Sequence, residues 1–296
     1  MPEPDVHPHQ ALHERLLGWY DEHARDLPWR EESATAWAVL VSEFMLQQTP
    51  VARVLPVYEQ WLRTWPTPAD LAAAAPGEAV RAWGRLGYPR RALRLHAAAG
   101  VITTKHGGAV PDSYEDLVAL PGVGDYTAAA VASFGFGRRH VVLDTNVRRV
   151  LARAVRGREV PDRTVTRSER ALAGSLHPDG DAAAAAWAVS TMELGAVVCR
   201  ATGPRCSACP VADLCAWRAA GYPAHDGPAR RSQSYAGTDR QCRGRLLAVL
   251  RDNAGPVHVS ALEAVWPGAG QRDRCLRWLV DDGLVVRSSD QTYALP

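Results

Sequence analysis

Apolar residues recur at helical spacing through roughly the first 220 positions, and short Pro-, Gly- or Ser-containing breaks separate the segments. Residues 9–26 carry Leu12, Leu16, Leu17 and Tyr20 on that spacing. Residues 36–48 are apolar nearly all round, the pattern of a central buried helix. Further helices are expected over 56–65, 68–74, 76–86 and 91–105. Ser113 and Asp116 form a capping-box pattern ahead of a helix to 120, and a small-residue helix follows over 126–133. Residues 140–143 read as a short extended stretch. It ends at Asp144-Thr145-Asn146, cap residues that precede a helix over 147–155. Two more helices cover 164–176 and 180–194.

The pattern changes after residue 221. Residues 222–238 are polar and rich in Gly, Pro, Ser and Arg, which suits a linker. Beyond them, helices are expected at 240–253, 260–266 and 271–282, then a hairpin pairing 284–287 with 291–295. The chain is therefore expected to be mainly α, with a small winged-helix-like domain at 239–296.

A chain of 296 residues suggests about two domains, with room for a small third. No apolar run reaches the ~18 residues that a membrane span needs. Residues 1–10 lack the apolar stretch of a secretory signal, so a cytoplasmic protein is expected. The net charge of +2 says little about a polyanionic partner, but its distribution says more. Lys105 is the only lysine, and ten arginines fall between Arg138 and Arg170. Such a run can form a phosphate-binding face, although a genome that prefers Arg to Lys would produce it too.

Four of the six cysteines, Cys199, Cys206, Cys209 and Cys215, follow the spacing C-x6-C-x2-C-x5-C. That density points to a metal centre and not to disulfides in a reducing compartment. One C-x2-C pair with unequal arms suits a [4Fe–4S] cluster. Zinc, which usually takes two separated knuckles, is the alternative, and unligated thiols a third reading.

Leu120-Pro121-Gly122-Val123-Gly124 lies between two helices. Its glycines allow close approach of another backbone, and the next helix offers its N–H groups to a phosphate. Alone, the same residues would make an ordinary interhelical turn. Glu43 sits within the apolar run Val39, Leu40, Val41, Phe44, Met45 and Leu46. Burial there would raise its pKa and let it hold a proton, unless an arginine pairs with it. Asp144 opens a helix, where the dipole favours an anion, and an N-cap role alone would also explain it. Two carboxyls in contrasting environments suit N-glycosidic cleavage: one protonates the leaving base, and the other stabilises the sugar cation.

Glu43 followed by Leu46-Gln47-Gln48-Thr49, Leu86-Gly87-Tyr88, the hairpin, Leu143-Asp144-Thr145-Asn146-Val147 and the four cysteines together resemble the MutY-type adenine DNA glycosylases of the helix-hairpin-helix, or endonuclease III, superfamily. The resemblance covers about residues 9–217. It implies a helix-hairpin-helix DNA glycosylase fold with an iron–sulfur cluster loop. The implied domains are a cluster domain of residues 1–29 and 142–221 and a six-helix domain of 30–141. The implied reaction is base excision of adenine opposite 8-oxoguanine or guanine, by a monomer acting on double-stranded DNA, nucleoid-associated in a bacterium, with [4Fe–4S] as cofactor.

Within the resemblance, Glu43 is the acid and Asp144 the stabilising carboxylate, with Tyr126 and Asn146 in support. Tyr126 stands where endonuclease III has a Schiff-base lysine, so a monofunctional enzyme is implied. Trp29 and Arg30 resemble adenine-pocket residues, Gln48 and Tyr88 the wedge, and Thr49 and Leu86 neighbours of the opposite base; Gly122, Val123 and Gly124 would hold the backbone. Loop packing is the alternative account of Trp29 and Tyr88, since both flank Pro-containing turns.

Two departures stand out. Val189 occupies a position where the family often has Glu or Gln, and the C-terminal region does not resemble the family's Nudix-like domain. A thymine mismatch glycosylase and a non-catalytic iron–sulfur DNA-binding regulator are the rival readings; the glutamine-bearing motif after Glu43 argues against the first, the carboxylate pair against the second.

Overall fold

The computed structural model describes residues 8–227, 235–289 and 291–296. The linker expected at 222–238 falls partly outside them. In chain order the helices are α1 (Pro8–His23), α2 (Ala36–Leu46), α3 (Val51–Thr64), α4 (Pro68–Ala73), α5 (Pro76–Ala82), α6 (Arg90–Lys105), α7 (Tyr114–Val118) and α8 (Asp125–Phe136). They continue with α9 (Thr145–Ala154), α10 (Arg167–Ser175), α11 (Asp181–Val197), α12 (Ala216–Ala219), α13 (Asp239–Arg251), α14 (Val259–Val265) and α15 (Ala269–Asp281). Three short strands, β1 (Val257–His258), β2 (Val286–Ser289) and β3 (Thr292–Ala294), form an antiparallel sheet in the order β1-β3-β2.

The chain divides into two compact units. The described residues of the first are 8–39, 112–118 and 123–227. Leu12 and Leu16 of α1, Val147, Val150 and Leu151 of α9, and Trp187 and Leu194 of α11 share its core. Their spacing is that of helical faces, so burying them excludes water from one contiguous apolar surface.

The second unit contains 40–111, 119–122, 235–289 and 291–296. Here α4 and α5 pack on α6, whose buried face runs through Arg91, Ala92, Leu95, Ala98, Ala99 and Ile102. Trp61 meets both Trp65 and Trp83 edge-on. The C-terminal helices close over Cys242, Leu246, Leu250, Leu262, Cys275 and Leu279. The hairpin pairs Val286 with Ala294 and Arg287 with Tyr293, while Leu284 and Val285 are buried just ahead of it.

Several boundaries differ from the sequence expectation. Helix α3 begins at Val51, not at 56, and carries Pro56 inside it. A proline there forfeits one backbone hydrogen bond, while the helix still buries Val54, Tyr58 and Trp61. Helix α5 ends at Ala82, near Gly84 in the left-handed region, and not at 86. Residues 140–143 pair with no strand among the described residues.

Candidate active site

Asp144 is the N-cap of α9. One carboxylate oxygen accepts from the N–H groups of Asn146 (2.8 Å) and Val147 (2.6 Å), and the other accepts from Asn146 Nδ2 (2.7 Å). These bonds favour the anion, as the sequence suggests. Burial outweighs them, and the Asp144 pKa is raised above its ordinary value. The cap role is thus observed directly, and it leaves the carboxylate fixed at the start of α9. A carboxylate that is fully hydrogen-bonded yet poorly solvated is fixed in place and gains from any positive charge that develops beside it.

Asn146 is itself held. Its Oδ1 accepts from Arg149 Nη2 at 2.8 Å, and the same nitrogen donates to the Gly195 carbonyl at 2.6 Å. A Cβ at Gly195 would lie 2.7 Å from the Asn146 side chain, so α11 approaches α9 closely only because glycine stands there. Arg149 Nε then donates to the Cys199 carbonyl at 2.7 Å. One turn further along α9, the buried Arg153 donates to the Arg200 carbonyl at 2.8 Å and approaches Cys199 Sγ at 3.6 Å. Its guanidinium also lies 4.7 Å from the Trp217 ring centroid.

Cys199, Cys206, Cys209 and Cys215 all line one recess together with Arg153 and Trp217. Burial raises the Cys199 pKa despite the hydrogen bond from Arg153, and it pushes Cys209 up to about 11. Among the described residues, no three Cys, His, Asp or Glu side chains gather closely enough to hold a single ion.

Trp29 and Arg30 lie in a 3₁₀ turn, Pro28–Arg30, with Trp29 buried. Arg30 Nη2 donates to Glu193 Oε2 at 2.8 Å. Arg25 clamps the same carboxylate through Nε and Nη2, both at 2.7 Å. Burial alone would raise the Glu193 pKa, but the two arginines reverse that and hold it at about 2. Arg30 Nη1 is buried without a hydrogen-bond partner in the structure, so one donor of the ion pair is unused. Tyr126, in the first turn of α8, packs partly buried against Ala129, Ala130, Val142 and Ala188. Val189 lies half-buried on α11.

In the second unit Glu43 is buried on α2, 5% exposed, between the wholly buried Ser42 and Phe44. Around the end of α2 a single side chain organises the local backbone. Arg91 Nη1 donates to the carbonyls of Phe44 (2.7 Å), Met45 (3.1 Å) and Gln47 (2.7 Å). Its Nη2 donates to Thr49 Oγ1 (3.1 Å) and the Gly87 carbonyl (3.0 Å), and Thr49 Oγ1 donates to the Leu86 carbonyl (3.2 Å). Gln48, Thr49, Leu86 and Tyr88 are thus brought together about one guanidinium. Gln48 (φ 55°) and Tyr88 (φ 46°) both adopt left-handed backbone, which is costly for residues with a side chain. Both residues face solvent, and Tyr88 is 48% exposed.

Gly122 in the interhelical turn has φ 80°, and a Cβ there would lie 2.6 Å from the Arg94 side chain. Val123 is buried. Gly124 is the N-cap residue of α8, whose first N–H groups have no intrahelical acceptor.

Arg91, Arg149 and Glu193 are absent from the sequence-derived set. Helical periodicity could have found Arg91, because it falls on the buried stripe of α6 with Leu95, Ala98 and Ile102. Glu193 similarly interrupts a run of small and apolar residues in α11. Arg149 gives no such signal, since its partners Gly195 and Cys199 are distant in sequence.

The family model described as "HhH-GPD superfamily base excision DNA repair protein" matches residues 41–173. The adenine DNA glycosylase of Mycobacterium tuberculosis (strain ATCC 25618 / H37Rv) is 52% identical over 298 residues, covering 100% of this chain and 97% of that protein. Among solved structures, a thermostable thymine-DNA glycosylase superposes with a TM-score of 0.64 at 24% identity, covering 74% of this chain and 100% of that one. An endonuclease III in a non-covalent complex with DNA gives a TM-score of 0.60 at 24% identity, covering 72% and 97%. These two likenesses establish the fold.

Proposed function

The chain belongs to the adenine DNA glycosylases of the HhH-GPD superfamily, and we propose that it removes adenine mispaired with 8-oxoguanine or guanine from double-stranded DNA. The observation that carries this reading is the pair of differently housed carboxylic residues: Glu43 buried on an apolar helix, and Asp144 locked by three hydrogen bonds at a helix start.

Gln48 and Tyr88 enter the base stack as the adenine leaves it, with Thr49 and Leu86 beside the opposite base. Trp29 and Arg30 border the extruded adenine. Glu43 delivers a proton to adenine N7, so the base departs neutral as the C1′–N9 bond breaks. The positive charge left on the sugar is stabilised by Asp144. Because burial makes that carboxylate costly to ionise, it interacts more strongly with the transition state than with the neutral ground state. Asn146 and Tyr126 keep the site in register. Water completes the hydrolysis to an abasic site. Tyr126 offers no amine for a Schiff base, so the backbone stays intact.

Gly122, Val123, Gly124 and the start of α8 hold the DNA backbone without reading sequence. Cys199, Cys206, Cys209 and Cys215 would hold a [4Fe–4S] cluster: the four share one recess, and the half-buried Cys199 and Cys209 thiols, both of raised pKa, are of the kind that a metal converts to favourable thiolates. The cluster would tie the loop into a rigid arm presenting Arg200 and Arg205 to phosphates. The division into a cluster domain (1–29 and 142–221), a six-helix domain (30–141) and a winged-helix-like domain (239–296) belongs to the same proposal, as do action as a monomer and a cytoplasmic location.

Duplexes carrying adenine opposite 8-oxoguanine, guanine, cytosine or thymine test the reading. Adenine release from the first two, well above the others, is expected. Release of thymine from a T·G duplex without adenine release would replace it with the thymine reading.

A further inference from the structure

The C-terminal helices lie against the strained loop that carries Tyr88. Helix α13 presents Arg240, Arg243, Leu247 and Arg251 at spacings of three and four, one helical face. Arg251 Nε donates to the Val80 carbonyl at 2.9 Å, and Arg81 donates in return to the Arg251 carbonyl. Arg90 and Arg243 share the Asp282 carboxylate. The Gly77 N–H donates to the Pro296 carbonyl at 2.7 Å, and a Cβ at Gly77 would collide with that oxygen. The C-terminal region is therefore fitted to α5 and the start of α6.

Along this contact aromatic rings and guanidinium groups alternate. Arg91 lies 5.2 Å from the Trp83 ring centroid and 5.6 Å from that of Tyr88. Arg240 lies 5.7 Å from Tyr88 and 5.5 Å from Tyr235. The series runs from wholly buried Trp83 to the exposed rings of Tyr88 and Tyr235. Each contact is modest alone. Together they restrict a ring that is 48% exposed on backbone of positive φ.

We propose that Arg240 is a positioning residue for base extrusion: the C-terminal domain uses it to hold Tyr88 ready to enter the duplex. The proposal rests on the wedge role assigned to Tyr88 above. Chemistry on adenine requires prior extrusion, so a misplaced ring lowers the observed rate in proportion to the population lost. The cost should depend on how firmly the adenine is stacked and paired. It should vanish where the opposite base is missing.

The test compares single-turnover excision from an A·G duplex with excision of adenine opposite an abasic site, using the full-length protein. Arg240→Ala is expected to slow the A·G reaction by about fivefold, the scale of one lost cation–π contact. The reaction opposite the abasic site should stay within about twofold of the parent, as expected if chemistry is untouched. Arg240→Lys should restore most of the A·G rate. Tyr88→Ala should show the same substrate dependence, and adding Arg240→Ala to it should cost nothing more. Thermal melting confirms that each variant folds. If Arg240→Ala matches the parent on both duplexes while Tyr88→Ala is selectively slow, the inference is overturned and the wedge reading stands. If Tyr88→Ala is not selective, the wedge reading fails and takes the inference with it. Equal slowing of Arg240→Ala on both duplexes would also overturn it, placing Arg240 in general DNA binding.

Discussion

Arg149 Nε donates to the Cys199 carbonyl at 2.7 Å. The other end of the same guanidinium holds Asn146, which in turn holds Asp144. The first cysteine of the metal-loop candidate and the candidate catalytic carboxylate are thus two hydrogen-bonded residues apart. Arg149→Met keeps much of the side chain's bulk and removes every donor. It is expected to slow excision by about a hundredfold, the scale of a misplaced catalytic group, with duplex affinity changed far less. Single-turnover kinetics and binding titrations separate the two. Parent-like kinetics would show that Asp144 needs no support from Arg149.

Glu193 gives the structure an acid-sensitive point. Its carboxyl is held at about 2, against an ordinary 4.5, by Arg25 and Arg30. The folded state therefore gives up a proton that the unfolded chain retains between those values. The resulting stability is complete above about pH 4.5 and is lost as pH falls toward 2. Glu193→Gln should abolish this part of the acid transition, followed by circular dichroism. At neutral pH it should cost about 3 kcal/mol, the low end for a broken buried pair because Arg25 can turn toward water.

The turn between α7 and α8 favours glycine at 122, where φ is 80° and the Arg94 side chain fills the space beside Cα. Gly122→Ala should cost roughly 1–2 kcal/mol from the left-handed backbone alone, plus the displacement of Arg94. Duplex affinity should fall regardless of the base opposite adenine, because the turn is proposed to hold only the DNA backbone. A loss confined to mismatched duplexes would contradict that role.

Much of this was legible in the sequence because helices write their own periodicity. The buried helix with Glu43, the Ser113 cap of the helix after it (Asp116 N–H to Ser113 Oγ, 3.1 Å) and the cap at Asp144 all depend on residues within four positions of each other. The residues that sequence reasoning missed depend on long-range partners. Arg149 meets a loop fifty positions away, and Arg91 meets the end of α2 more than forty positions earlier. The Asp144 environment was only half legible. Its hydrogen bonds follow from the cap, but the burial that raises its pKa comes from tertiary packing.

Tyr126 in place of an amine predicts the products. Excision should leave abasic sites that break only after alkali treatment, resolved by denaturing gels. Borohydride should trap no covalent complex in the yield expected of a lyase. Efficient trapping would mean that another amine of the chain reaches the sugar.

The central claim is that Glu43 delivers the proton on which adenine departs. Glu43→Gln preserves size and hydrogen bonding but removes the acid. General acid catalysis contributes about 10²–10⁴-fold, so the single-turnover rate on adenine opposite 8-oxoguanine should fall by at least about a hundredfold. Duplex affinity should remain nearly unchanged. Asp144→Asn should also be severely slow, through loss of charge stabilisation and not of proton delivery. A Glu43→Gln protein that excises adenine at the parent rate would contradict the mechanism, even though the chain's family would stand.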